Sequence, residues 1–436
     1  MLKKSGIITF NFQRKKGYKL FISRNSYLEA LKIRMHNGMI KVVTGIRRCG
    51  KSYLIFNIFK NYLIKSGTDP SHIISIELDQ RKNRQYRDPD VILEYIESLI
   101  TDDSQYYILL DEVQMISEFE EVLNSLLHIS NADVYVTGSN SKFLSKDIIT
   151  EFRGRGDEVH VYPLSFSEFM EVYDGDQYKG WAEYVTYGGL PLTVTMKTEE
   201  QKIKYLSDMF DTTYIRDIIE RNHIEKIQEL SDLVNVLASS VGALSNPSKI
   251  EATFKSVIKS DISLNTIRQY IEYLKDAFVI NEALRYDVKG RKYIGTPVKY
   301  YFEDVVLRNA RLGFRQVEET HLMENIVYNE LRKRGFQVDV GVVNKRTKND
   351  EGSITRKQLE VDFVANKGSL RYYIQSAYSL PDAEKIRQEK ASLNSINDSF
   401  KKIIIVKDVI NVKHDEDGIT IMSIYDFLLL DNSLEL

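Results

Sequence analysis

The sequence predicts an α/β protein whose core is a parallel sheet with helices on both faces. Three observations predict it. Apolar strand-like runs alternate with helically spaced segments from about residue 27 to residue 164. A glycine-bounded run, Gly45-Ile46-Arg47-Arg48-Cys49-Gly50-Lys51-Ser52, follows the first apolar run and opens a helix. The third apolar run ends in two carboxylates, Asp111 and Glu112.

Each element has its own warrant. Met39 to Thr44 reads as a buried strand and Lys51 to Ile64 as the helix after it. Ile73 to Leu78, Tyr106 to Leu110, Val134 to Thr137 and Glu158 to Pro163 read as four further strands, with helices over Val91 to Ile100 and Phe119 to Ile129 between them. Residues 1–26 read as a polar extension without chemistry, and 27–164 as the core domain. Residues 165–227 are mostly helical and are broken by the turn Tyr187-Gly188-Gly189-Leu190-Pro191. Residues 228–312 combine short helices with a hairpin signal at Lys289-Gly290. Residues 313–436 form a second α/β unit, with strands at Gln337 to Val342, Leu359 to Ala365, Tyr372 to Gln375 and Lys402 to Val406. The polar stretch Asn344 to Lys357 reads as an exposed loop.

Composition narrows the classes. The chain has 436 residues, 43% hydrophobic and 28% charged, which suits several globular domains and excludes disorder. Its 60 Lys and Arg against 62 Asp and Glu give a net charge of −2, so any nucleic-acid contact requires a local patch. A single cysteine, Cys49, excludes an intramolecular disulfide and suits a reducing, cytoplasmic compartment. No apolar run reaches the ~20 residues of a membrane span, and no secretory signal is evident.

The glycine-bounded run fits G-x-x-x-x-G-K-[ST] throughout. Its glycines let the backbone curl around phosphate, and the helix that opens at Lys51 adds its positive end. Lys51 is expected to meet the β- and γ-phosphates of ATP, and Ser52 to offer a hydroxyl to Mg²⁺. Gly45 through Ser52, with Tyr53 beside them, are the expected nucleotide ligands. Asp111 is expected to hold the Mg²⁺ shell with Ser52, and Glu112 to orient the attacking water. Ser139 and Asn140, after the next strand, are candidates to sense the γ-phosphate. Arg153 and Arg155 are candidates for an arginine finger, in cis or across an oligomer interface. The thiol of Cys49 is expected to lie exposed when nucleotide is absent.

These residues resemble prokaryotic AAA-type P-loop ATPases of the archaeal-ATPase branch, which is similar to the signal-transduction ATPases. The resemblance rests on Lys41 to Lys51, Asp111 to Gln114, Thr137 to Asn140, Pro163 to Phe169 and Tyr187 to Pro191. It implies a core sheet of order 51432, a helical lid, a winged helix and a C-terminal domain of unknown function with a restriction-nuclease-like core.

In the winged-helix region, Asp261 to Leu274 reads as a turn and an amphipathic helix, with Lys289, Arg291 and Lys292 on the wing. Residues 246–300 hold ten Lys and Arg against six Asp and Glu. Residues 261–292 are therefore the expected DNA contact, with packing against the core or another protein as the competing role. The nuclease pattern is broken. Glu324 and Asp362 fit, but Gln375 stands where a glutamate is required and Ala377 where a lysine is required. Lys385, on the next helix, is the nearest substitute. The expected activity is ATP hydrolysis that sets a conformational switch. The alternatives are an ATP-dependent nuclease and an ATP-stabilised binding module.

Overall fold

The computed structural model describes residues 22–138, 154–315, 317–348 and 354–436. The core sheet contains β1 (Ile40–Thr44), β2 (Ile73–Glu77), β3 (Tyr106–Asp111), β4 (Ala132–Thr137) and β5 (Gly156–His160). All four pairings are parallel, and the order is β2-β3-β4-β1-β5. Read from the other edge this is the expected 51432. β1 and β3 are buried along their whole length, as strands covered on both faces must be. The order sets β4 beside β1 and β3 beside β4, so the ends of β3 and β4 flank the loop that leaves β1. Lys41 on β1 is fully buried. It is neutralised by Asp133 on β4, which also accepts from the Tyr135 hydroxyl at 2.9 Å.

The helix after β1 starts at Lys51, passes through a π-helical stretch at Leu54–Phe59 and continues as Lys60–Lys65. After β5, helices Phe166–Met170, Gln177–Tyr187, Glu199–Met209 and Arg216–Asn222 make up the helical region expected to be a lid, and called the lid below. The Gly188-Gly189 turn is required by sterics. Gly188 has φ +68°, and a Cβ there would lie 2.0 Å from an Asp304 oxygen; one on Gly189 would lie 2.1 Å from the Leu164 carbonyl. Asp304 fixes this turn by accepting from the backbone N–H of Gly189 and of Val306, at 2.8 and 2.9 Å.

The next region holds helices Ile227–Ser239, Pro247–Thr253 and Leu264–Asp276, then the hairpin β6 (Ile280–Asp287) and β7 (Lys292–Phe302). Helix Leu264–Asp276 is capped by Ser263 and buries Ile267, Ile271 and Leu274, the face expected for it, together with Tyr270. The hairpin differs from expectation, because it does not stay within a separate winged-helix unit. Arg285 to Asp287 of β6 pair in parallel with Val340 to Val342 of β8 (Gln337–Lys348). One eight-stranded sheet therefore runs through the expected boundary at 312/313. Its order is β12-β13-β11-β10-β9-β8-β6-β7, with β9 (Ile354–Lys367), β10 (Leu370–Ala377), β11 (Lys401–Val406), β12 (Lys413–His414) and β13 (Ile419–Ser423). The stretch Asn344 to Lys357 is also not a plain loop. β8 and β9 continue pairing out to Lys348 and Ile354 as a two-stranded ribbon. Backbone hydrogen bonding, which leaves no mark on the apolar pattern of a sequence, makes this extension.

Complete burial pushes the Asp304 carboxyl up to about 7, with Glu303 adding to the shift and the two N–H donors opposing it. The folded chain thus holds this proton more tightly than the unfolded chain, whose carboxyl titrates near 3.8. The sign follows: stability falls as pH rises between these values, then levels off. The thermal midpoint is expected to decline from about pH 4 to about pH 7, and Asp304→Asn, followed by differential scanning fluorimetry, to flatten that decline. An unchanged slope would remove Asp304 as its source.

Candidate functional site

The loop from Gly45 to Gly50 leaves β1 and returns into the helix at Lys51. Gly45 has φ +132°, and a Cβ there would lie 2.2 Å from the Val161 carbonyl. Gly50 has φ +107°. Only glycine meets both demands without strain. The Lys51 ammonium is drawn into the loop and donates to the carbonyls of Gly45 and Ile46 at 3.0 Å each. A cleft of about 350 Å³ opens along Arg48, Lys51, Ser52, Tyr53 and Glu112, with Pro191 and Leu192 opposite.

Two strand ends meet the helix start. The Ser52 hydroxyl donates to Asp111 Oδ1 at 3.0 Å. Thr137, fully buried at the end of β4, donates its hydroxyl to the same oxygen and accepts from the backbone N–H of Glu112 at 2.9 Å. Glu112 has φ +52° and its carboxylate accepts from the Gln114 amide. Burial pushes the Asp111 carboxyl up to about 6, the neighbouring carboxylates Glu112 and Asp79 adding to it and the Thr137 and Ser52 hydroxyls opposing it. Glu77 and Asp79, at the end of β2, bring carboxylate oxygens within 4.8 Å of one another and of Asp111. These hard oxygen donors, one hydroxyl and one buried carboxylate at a phosphate cradle, suit Mg²⁺.

The arginines of the loop point to the lid. Arg47 pairs with Asp217 at 2.8 Å, and Asp217 also holds Arg221 at 2.8 Å. The Arg47 carbonyl accepts from the Tyr214 hydroxyl at 2.7 Å, and Arg48 donates to the Tyr205 hydroxyl at 2.9 Å. Cys49 corrects the expectation of an exposed thiol. It is fully buried behind the loop, and burial raises its pKa. Arg155 is a second correction. It is exposed just before β5, and its carbonyl accepts from Ile40 at the start of β1, so it lies at the edge of the sheet away from the phosphate loop. It cannot act as a finger on its own chain's nucleotide. Ser139, Asn140 and Arg153 lie outside the described residues.

Three contributors escaped the sequence reading. Arg24, in the supposed extension, is buried and donates to the carbonyls of Cys49 and Tyr162 at 3.0 and 2.6 Å and to Glu168 at 2.9 Å. Ile22 lines the cleft. Thr137 was passed over for its neighbours Ser139 and Asn140. A hydroxyl at the end of the strand beside Asp111 was its available signal.

A lysine from another strand reaches the carboxylates of the broken nuclease pattern. Lys299 on β7 reaches into the acidic cluster, with its ammonium 2.9 Å from Glu324, 2.7 Å from Glu360 and 3.7 Å from Asp362. Burial would lower its pKa, but Glu324, Asp362 and Glu360 outweigh that and raise it. Gln375 contributes its carbonyl oxygen to the Asp362 N–H at 3.4 Å, and the Ser376 N–H donates to Asp362 at 2.8 Å. Lys385 pairs instead with Glu389 on its own helix, at 2.6 Å, because it projects along that helix.

With this geometry in view, comparison with known proteins is direct. The AAA domain family matches residues 37–170, and a family described as a domain of unknown function matches residues 178–318. An uncharacterized protein of Haemophilus influenzae is 33% identical over 417 residues, which are 94% of this chain and 99% of that protein. A second, from Methanocaldococcus jannaschii, is 28% identical over 384 residues, 84% of this chain and 81% of that protein. The Walker-type ATPase of Pyrococcus abyssi is a solved structure that is similar at 16% identity and TM-score 0.47, covering 67% of this chain and 96% of that one. The phosphate loop, the Asp111-Glu112 strand end and the 51432 sheet define a P-loop NTPase. The chain belongs to the prokaryotic AAA-type P-loop ATPases, and its relatives match it well beyond the ATPase core.

Two outcomes test this geometry. Thr137→Val keeps shape but strands the Glu112 N–H and leaves Asp111 held by Ser52 alone, so ATP turnover is expected to fall at least ~10-fold with the fold intact by circular dichroism. Lys299→Met leaves three carboxylates without their shared cation and is expected to cost ~3–5 kcal/mol in denaturant unfolding.

Proposed function

We propose that this protein is a Mg²⁺-dependent ATPase that works as a nucleotide-controlled switch. The observation that carries the reading is the contact between the Ser52 hydroxyl and Asp111 at 3.0 Å, at the mouth of the cradle that holds Lys51. Lys51 would exchange its two loop carbonyls for β- and γ-phosphate oxygens. Ser52 and Asp111 would hold Mg²⁺, which supplies neutralisation of phosphate charge. Glu112, steadied by Gln114 and by its bond to Thr137, would orient and polarise the attacking water. Ser139 and Asn140 keep the role of sensing the γ-phosphate, and Arg153 that of the finger. Arg155 serves only a neighbouring subunit in this reading.

The switch is supported by two sets of contacts. Arg47 and Arg48 tie the loop to the lid at Asp217 and Tyr205. Thr44, just before Gly45, bonds His160 at 2.8 Å, and His160 bonds the buried Glu303 at 2.6 Å, the residue that follows β7. A change at the loop would thus alter contacts in the lid and in the eight-stranded sheet, which is what a ligand-driven shift between two arrangements requires.

DNA contact through residues 261–292 is the second reading. Its support is the exposed turn with Lys289, Arg291 and Lys292. Helix Leu264–Asp276 offers less, because Arg268 shares its outer face with Glu272. We read the C-terminal unit as non-cleaving, because the Lys299 ammonium sits among the carboxylates that a nuclease keeps for metal.

Phosphate release tests the reading. Lys51→Ala is expected to abolish binding and turnover, and Glu112→Gln to keep ATP binding while turnover drops about 100-fold. Tight binding without turnover in the unaltered protein would favour ATP as a stabilising ligand. Metal-dependent DNA nicking lost in Asp362→Ala would restore the nuclease reading.

A further inference from the structure

We propose that the β6–β7 turn, the base of the β8–β9 ribbon and the cleft beside them form a binding surface for a single-stranded polynucleotide. The inference rests on the nucleic-acid reading above and supplies its surface and substrate class. It does not depend on the ATPase reading.

The first observation is charge density. Residues 288–295, 343–348 and 354–359 together carry eight lysines and arginines and no aspartate or glutamate, in a chain whose net charge is −2. The fold brings these three segments to one place. Val288 N–H donates to the Val342 carbonyl at 3.0 Å, and the Lys289 ammonium to the Asn344 carbonyl at 3.4 Å, so the turn abuts the ribbon's base. The ribbon's register sets Lys345 opposite Lys357 and Arg346 opposite Arg356. Like charges opposite one another cost a two-stranded ribbon stability. Lys345 and Lys357 are exposed, and a polyanion would convert their repulsion into attraction. Asp350 and Glu351 lie outside the described residues.

The second observation is aromatic. The turn borders a cleft of about 570 Å³ lined by Tyr286, Lys289, Arg291, Arg371, Asp398 and Phe400. The Arg371 guanidinium lies 5.4 Å from the Tyr286 ring and 5.3 Å from the Phe400 ring. Phe400 is 39% exposed, and Tyr293, edge-on to Tyr286, is 58% exposed. Asp398 faces inward in part, accepting from the Tyr373 hydroxyl at 2.6 Å. Exposed rings between cations are what unpaired bases require: phosphates meet the charges while bases stack on the rings. A duplex hides its bases and would use the charges alone.

The test is fluorescence anisotropy of the full chain with a labelled oligothymidylate of about 20 nucleotides, at low and raised salt. Three variants are compared: Lys289→Glu with Arg291→Glu and Lys292→Glu; Lys345→Glu with Lys357→Glu; and Tyr293→Ala with Phe400→Ala. Each charge reversal is expected to weaken binding at least ~10-fold and to flatten the salt dependence. The aromatic pair is expected to weaken it ~5-fold or more. ATP turnover should persist in all three, since none touches the phosphate loop. No binding at about 50 mM salt, or equal binding by all variants, overturns the proposal. So does a duplex of equal length that binds as tightly and ignores the aromatic pair. Oligouridylate in a parallel arm distinguishes RNA from DNA by which strand binds more tightly, and either order supports the surface. Turnover lost in the unaltered protein while the oligonucleotide binds would remove the ATPase reading and leave this one.

Discussion

The buried guanidinium of Arg24 is the contact on which the arrangement of the other parts turns. It satisfies carbonyls of the phosphate loop and of the segment after β5, and it pairs with Glu168 in the first lid helix. Glu168 also closes the capping box at Ser165 and lies 3.6 Å from Lys333, which belongs to the helix Glu319–Lys333 of the C-terminal unit. A buried charge survives only where partners surround it. Here those partners come from the loop, the segment after β5 and the first of the helices that follow, and Glu168 carries the link on to Lys333. The electrostatic need of one side chain therefore fixes the seating of four pieces of chain.

The phosphate-loop end of the core obeys a similar economy. Three hydrogen bonds meet at Asp111 and Thr137, all within reach because β3 and β4 end at the same level beside β1. Strand order is thus a condition for chemistry. The Glu112 carboxylate is aimed by backbone geometry, a positive φ, rather than by packing alone. Such conformations cost free energy and persist where surrounding bonds over-determine them, as the Thr137 and Gln114 contacts do.

Much of this was legible in the sequence, for identifiable reasons. The core strands, the phosphate loop and Asp111-Glu112 announce themselves through local apolar runs and fixed spacing. Helix Leu264–Asp276 was readable from its period and its Ser263 cap. What stayed hidden depends on distance along the chain. Nothing near Arg24 indicates Glu168, 144 residues away. Lys299 could not be assigned to the carboxylates of β9 until the pairing of β6 with β8 was known, since the local pattern at Ala377 gives only an absence. The ribbon was missed because its sequence shows no apolar alternation, the signal by which strands are read. The exposed-thiol expectation for Cys49 failed because a loop's sequence does not reveal which of its sides faces the interior.

The strand β7 serves two masters. Lys299 anchors one point of it among the carboxylates, and four residues on Glu303 grips His160 on the strand next to β1. At ~3.3 Å per residue these anchors stand roughly 13 Å apart on a nearly inextensible backbone. Such a rod transmits displacement rather than absorbing it. One short stretch of backbone thus spans from the carboxylates of the distal sheet to the strand beside β1.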